Sequence, residues 1–302
     1  ALLRIGLSAV TPTNTTLKPL PWFSFTSWQR FMEDNMQLLK LAGLLLCCSA
    51  ASLQGNESPT MATQPTLLTA AKHGFVANYY PAANSEPQIA VLVLGGAEGG
   101  LPEQLAQPVI DAGYPTLALA YFNADGLPPE LEKIPLEYFA KAKSWLLSQA
   151  IVKPDQLMVV GWSIGAELSL LLASRDEQIA KVVAIAPSSV AWAGILKDWT
   201  KVPASSWTEH GVELTHVPFK PSGPVNGLRD LYSQSLANRV DEHKADIAVT
   251  NIKGKVVLLS GENDAIWPAP KMAKAVCDKI NARQQNQCEH LYYPGLDHLL
   301  NY

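Results

Sequence analysis

Gly161-Trp162-Ser163-Ile164-Gly165 spells GxSxG. A serine hydroxyl is a poor nucleophile until a neighbouring base takes its proton, so the motif means something only with the right surroundings and partners. It follows an apolar strand, Gln156–Val160 (QLMVV), and opens an apolar helix predicted over Ile164–Ser174. Strand, tight turn and helix are what an exposed nucleophile requires. The flanking glycines then have a physical reason, because a Cβ beside so sharp a turn would strike the neighbouring strand or helix. The helix amino terminus also favours nearby negative charge. An acid is expected where KVVLLSG ends at Gly261 and Glu262, Asn263 and Asp264 follow. A carboxylate just past a strand's carboxyl end points into the crevice of an open sheet. Asp264 is the first choice and Glu262 the alternative. A base is expected after EHLYYPG, where Leu296-Asp297-His298 follows Gly295. The other five histidines lack such a placement.

Three residues in the order Ser, Asp, His, each at a strand end, suit acyl transfer. His298 would take the proton of Ser163 as it attacks a carbonyl. Asp264 would hold the imidazole's tautomer, and water would resolve the acyl-enzyme. The oxyanion needs two backbone donors. Ile164, directly after the serine, supplies one; the other is expected from Ala97 in the loop Gly95–Gly100 (GGAEGG). That loop lacks both the GK[ST] ending of a P-loop and GxGxxG spacing, which argues against a phosphate cradle.

The elements that must carry these loops alternate. Strands are predicted at Phe75–Tyr80, Ile89–Leu94, Thr116–Tyr121, Gln156–Val160, Val182–Ile185, Val256–Leu259 and His290–Tyr293. Helices are predicted at Pro102–Ala112, Pro135–Gln149, Ile164–Ser174 and Ala269–Asn281. The continuous apolar runs, such as IAVLVL, read as strands buried on both faces. This is an α/β pattern: a mainly parallel sheet with helices on both faces. Ser188–Asn251 is too long for an ordinary connection and reads as a partly helical insertion or cap before the acid strand.

Composition fits one large domain over residues 74–302, since 48% of the 302 residues are hydrophobic. With a formal charge of −4 and no Lys/Arg run, nucleic acid is not an expected partner. Neither HExxH nor CxxC occurs, so no metal or other cofactor is expected. Residues 52–73 are a polar linker. Residues 1–51 read as an upstream stretch followed by a signal-like segment, Met36 to Ala51, with Lys40 ahead of an apolar run. The segment is too short to span a bilayer. Export to the periplasm or outside follows, and residence in the cytoplasm if the segment is no signal. Beyond residue 51 only Cys277 and Cys288 remain, an even pair that favours a disulfide in an exported protein. Nothing in the sequence fixes an oligomeric state.

LGGAEGGLPE, LALAYF, PLEYF, GWSIGAELSLLLAS, LLSGENDAIWP and YPGLDH together, from Ile89 to His298, carry a family likeness. The chain resembles the carboxyl-terminal catalytic domain of the acyl-CoA thioester hydrolase and bile acid-CoA:amino acid N-acyltransferase family, relatives of dienelactone hydrolases with the α/β-hydrolase fold. The resemblance implies a Ser/Cys–Asp–His triad acting on acyl thioesters, and it falls on Ser163, Asp264 and His298; the expected substrate is a small-molecule acyl ester or thioester. Three departures are visible. The amino-terminal β-sandwich of the animal members has no room before Ile89. Ala97 and Glu98 interrupt what is often an all-Gly loop. The chain stops at Tyr302, four residues past His298, where the fold continues to a closing helix, so a truncated carboxyl terminus is expected. The amino-acid-conjugating members carry Cys at the nucleophile position, so Ser163 implies hydrolysis over transfer to an amine. The signal-like segment and the absence of a basic cluster for phosphates argue against free acyl-CoA as the substrate. A ligand-binding relic without activity is the remaining alternative, and the complete Ser-Asp-His set argues against it.

Overall fold

The computed structural model describes residues 64–300, apart from residues 199, 240 and 242. The signal-like segment and most of the polar linker therefore lie outside the described residues.

Eleven strands are described. They are β1 (Thr66–Leu68), β2 (Val76–Tyr80), β3 (Gln88–Leu94), β4 (Thr116–Ala120), β5 (Ile134–Pro135), β6 (Val152–Trp162), β7 (Ile179–Ile185), β8 (Trp207–Glu209), β9 (Val212–Glu213), β10 (Lys255–Gly261) and β11 (Cys288–Tyr293). Eight of them form one sheet in the order β1-β2-β4-β3-β6-β7-β10-β11. The β1–β2 and β2–β4 pairs are antiparallel and the remaining pairs are parallel. The parallel strands carry the continuous apolar runs because helices cover them on both sides: Ala90 to Leu94, Leu157 to Val160 and Val256 to Leu259 are all buried. The helix Ile164–Ala173 lies so deep that only Leu172 keeps partial exposure.

Register brings the functional loops together. Leu94 pairs with Gly161, Gly161 with Ala184, and Gly261 with Tyr293. The carboxyl ends of β3, β6, β10 and β11 thus share one end of the sheet. From them spring the Gly-rich loop, the turn of Ser163, the acid loop and the histidine loop.

Two expectations need correction. Residues 66–73, read as the end of a linker, form β1 and the short helix Ala70–His73, with Leu68 buried. A three-residue strand is too short to show a period in sequence. The insertion before β10 is partly helical, through Leu228–Ala237, but it also builds a second sheet in which β8 joins β5 and β9. It is anchored by its indoles, since Trp192 and Trp207 have no exposed surface. Among the described residues no helix is long and apolar enough to cross a membrane.

Candidate active site

Ser163 occupies the turn between β6 and the helix Ile164–Ala173, with φ 57° and ψ −120°. A non-glycine residue held there is strained, and the surroundings must over-determine it. They do so in two ways. The Ser163 N–H donates to the Ile185 carbonyl at 2.9 Å. The backbones on either side are packed too closely for side chains. A Cβ at Gly161 would fall on the Gly165 carbonyl and the Ser169 hydroxyl, and a Cβ at Gly165 on the carbonyls of Leu94 and Gly95. Both glycines of GxSxG are therefore required sterically, as the sequence suggested.

The structure brings the three candidate residues together. His298 Nε2 lies 2.9 Å from Ser163 Oγ, and His298 Nδ1 lies 2.7 Å from Asp264 Oδ2. All three side chains are buried, Asp264 completely. A buried carboxylate must find donors. The second oxygen of Asp264 finds two, accepting from the N–H groups of Ile266 at 2.8 Å and Trp267 at 3.1 Å. Glu262, the alternative acid, is exposed and instead accepts from the Gly295 N–H at 3.0 Å. Geometry thus separates the two carboxylates.

The imidazole is framed by two indoles. Trp162 donates from Nε1 to the His298 carbonyl at 3.1 Å, and its ring centroid lies 5.6 Å from the imidazole. Trp267 stands edge-on at 5.7 Å. The acid loop is held from the insertion by Arg229, which donates from its guanidinium to the Asp264 carbonyl at 2.5 Å and from its backbone N–H to the Ala265 carbonyl at 3.1 Å. Sequence reasoning assigned no role to Trp162, Trp267 or Arg229. The first two lie inside quoted motifs, whereas Arg229 is 35 residues from its partner with nothing local to mark it.

The Gly-rich loop is pinned at several points. Tyr121 OH donates to the Gly95 carbonyl at 2.6 Å, Asn123 Nδ2 to the Glu98 carbonyl at 2.9 Å, and the Gly100 N–H to the Phe122 carbonyl at 3.0 Å. Glu98 Oε1 takes up the Gly96 N–H at 2.9 Å. No hydrogen bond is found for the Ala97 N–H among the described residues. Ile164 opens its helix, where an N–H has no preceding helical carbonyl. At the far side, Cys277 on the helix Ala269–Arg283 and Cys288 at the start of β11 are joined in a disulfide with Cα atoms 5.1 Å apart.

The family described as BAAT / Acyl-CoA thioester hydrolase C terminal matches residues 134–302. The chain belongs to this family. The matched stretch contains Ser163, Asp264 and His298, and the Gly-rich loop lies ahead of it. Among curated relatives, the mouse peroxisomal succinyl-coenzyme A thioesterase is 28% identical over 206 residues, covering 68% of this chain and 47% of that protein. Mouse acyl-coenzyme A amino acid N-acyltransferase 1 is 31% identical over 212 residues, covering 70% and 48%. The chain therefore spans about half the length of the curated relatives it matches. Among solved structures, a dienelactone hydrolase candidate from Klebsiella pneumoniae superposes with a TM-score of 0.50 at 18% identity, covering 78% of this chain and 85% of that one. The family and this likeness establish the α/β-hydrolase fold. The relatives of this chain thus include proteins named for hydrolysis and proteins named for transfer.

Proposed function

We propose that the chain is a serine hydrolase that cleaves acyl esters or thioesters through an acyl-enzyme. Ser163 is the nucleophile, His298 the general base and then the general acid, and Asp264 the group that orients the imidazole. The observation that carries this reading is the unbroken chain Ser163 Oγ–His298 Nε2–Nδ1–Asp264 Oδ2, at 2.9 and 2.7 Å. With Asp264 on Nδ1, the Nδ1–H tautomer is favoured and Nε2 is left to accept the serine proton. Attack on the carbonyl moves its electrons onto oxygen. The N–H groups of Ile164 and Ala97 would receive that charge, one beside the nucleophile and the other in the pinned loop. His298 then returns the proton to the leaving oxygen or sulfur. Water, deprotonated by the same imidazole, releases the acid.

Hydrolysis is preferred to transfer because the seryl ester needs only water as acceptor. Membership beside an N-acyltransferase keeps transfer to an amine as the second reading. We further read the protein as exported. The disulfide Cys277–Cys288 supports that reading, and an exported enzyme is not expected to meet free acyl-CoA. The domain is taken as residues 74–302 with the short elements from Thr66 added. The test compares kcat/KM on short p-nitrophenyl esters and on acyl-CoAs, with glycine or taurine as competing acceptor. Free acid as the product, with esters matched or preferred, supports the reading; N-acyl product overturns hydrolysis, and a strong preference for acyl-CoA overturns the ester preference.

A further inference from the structure

Glu167 sits one turn past Ser163 on the elbow helix, its N–H donating to the Ser163 carbonyl at 3.1 Å. Its side chain has no exposed surface. One carboxyl oxygen, Oε1, accepts from the Trp207 indole at 2.7 Å and from the Trp192 backbone N–H at 3.2 Å. The other, Oε2, is buried without a partner among the described residues. Among the described residues no Lys, Arg or His shares in its electrostatics. The titratable groups that feel it are Tyr121, just after β4, and Tyr232, on the helix Leu228–Ala237. Burial holds both phenols protonated, far above their ordinary range. A carboxylate with no cation in such a cage is penalised by desolvation, so the group keeps its proton at neutral pH.

From this carboxyl two lines of packing run back to the reacting groups. Trp207 packs on Tyr121 at 5.8 Å, and Tyr121 holds the Gly95 carbonyl of the Gly-rich loop. Trp192 stands edge-on to Tyr232 at 4.7 Å, Tyr232 to Trp267 at 5.5 Å, and Trp267 to His298 at 5.7 Å. Trp267 also supplies an N–H to Asp264. One buried group thus underlies the oxyanion side and the histidine side at once.

We propose that Glu167 is a positioning residue for the reaction: its neutral carboxyl fastens the insertion to the elbow helix and so keeps the Gly-rich loop and His298 aligned on Ser163. This rests on the serine hydrolase reading above. Burial pushes the Glu167 carboxyl up to about 8, so ionisation just above neutrality would place an uncompensated charge among the indoles and loosen both lines.

The experiment compares the full chain with Glu167→Gln and Glu167→Leu. Gln keeps an oxygen for Trp207 and Trp192 and cannot ionise; Leu removes the acceptor. Ser163 labelling by a fluorophosphonate and kcat on a p-nitrophenyl ester are followed from pH 6 to 10, with intrinsic tryptophan fluorescence recorded in parallel. In the wild type, labelling and kcat should fall above about pH 8 with KM little changed, and fluorescence should show a step at the same pH. Glu167→Gln should stay within threefold of wild type at pH 7 and lose both the alkaline fall and the step. Glu167→Leu should lose tenfold or more in kcat at pH 7; if it does not fold, the wild-type and Gln profiles decide alone. An unchanged alkaline limb in Glu167→Gln, a wild type with no fluorescence step, or a folded Glu167→Leu with wild-type kcat overturns the proposal. A wild type that labels but hydrolyses neither esters nor thioesters sinks the substrate reading instead, and the labelling and fluorescence comparisons still judge Glu167.

Discussion

Replacing Asp264 by Asn tests the proposed mechanism more sharply than deleting it. In Asp264, Oδ1 accepts two backbone N–H groups, from Ile266 and Trp267, and Oδ2 meets His298 Nδ1. An asparagine must keep its oxygen toward the two N–H groups, because turning the amide would set a donor against two donors in a site with no exposed surface. Its NH₂ is then forced onto His298 Nδ1, which must become an acceptor. The ring proton moves to Nε2, and Nε2 can no longer take the proton of Ser163. Inverting the tautomer of such an imidazole costs about 10⁴ in kcat, or about 5 kcal/mol of transition-state stabilisation. The fold should survive, since what is lost is one hydrogen bond to a charged group, about 1.5–3 kcal/mol. The assay is kcat at pH 7 on a p-nitrophenyl ester beside a thermal melt. A folded variant retaining a tenth or more of wild-type kcat refutes the assignment of Asp264.

Four further outcomes are expected. Ser163→Ala should lose about 10⁴ or more in kcat with an unchanged circular dichroism spectrum; residual activity above a tenth excludes it as nucleophile. Glu262→Gln should leave kcat within twofold of wild type, since its carboxylate serves the Gly295 N–H and not the imidazole. Replacing Cys277 and Cys288 together by Ser opens a crosslink spanning 11 residues, worth about 3 kcal/mol in the chain-entropy account, so Tm should drop by roughly 6–12 °C; an unmoved Tm rejects it. Glu167 holds its proton more tightly folded than unfolded. Its contribution to stability is complete below the ordinary carboxyl range, near pH 4, and is lost as pH rises through about 8. The Tm of the wild type should therefore fall relative to Glu167→Gln between pH 5 and 8, and parallel Tm curves over that range count against a raised Glu167.

The parts of this molecule that were legible in sequence are those whose signal is local. GWSIGAE declares strand, turn and helix within a few residues, and the close approach of Gly161 and Gly165 to the surrounding backbone follows from the turn itself. The parallel strands announced themselves by apolar runs such as IAVLVL, and the acid and base loops by the punctuation after them. Asp264 was the first choice over Glu262, yet position alone left the alternative open, because two carboxylates two residues apart differ only in which one the loop turns inward. The insertion was opaque for a related reason. β8 and β9 are three and two residues long, and their partners lie elsewhere in the chain: Trp207 donates to Glu167, 40 residues away, and Glu213 pairs with Lys133, just before β5. Tertiary contact overrode local propensity there. Glu167 itself read as one more residue of an apolar helix, and only its burial shows that it differs.

The site is spread unevenly across the sheet. Ser163 leaves β6, which has parallel neighbours on both sides, whereas His298 follows β11, which among the described residues is outermost and pairs with β10 alone. An outermost strand exchanges its amides and frays at lower free energy than a central one. If the proposed roles hold, warming should open the support of His298 while Ser163 is still clamped in place, so inactivation precedes global melting. The crosslink from Cys288 to the helix beside it falls at the first residue of that outermost strand, where it can delay such opening from one end, while the histidine end is held by the acid loop and the indoles. On the proposed mechanism the working lifetime of the site is thus set at the rim of the sheet and not in its core.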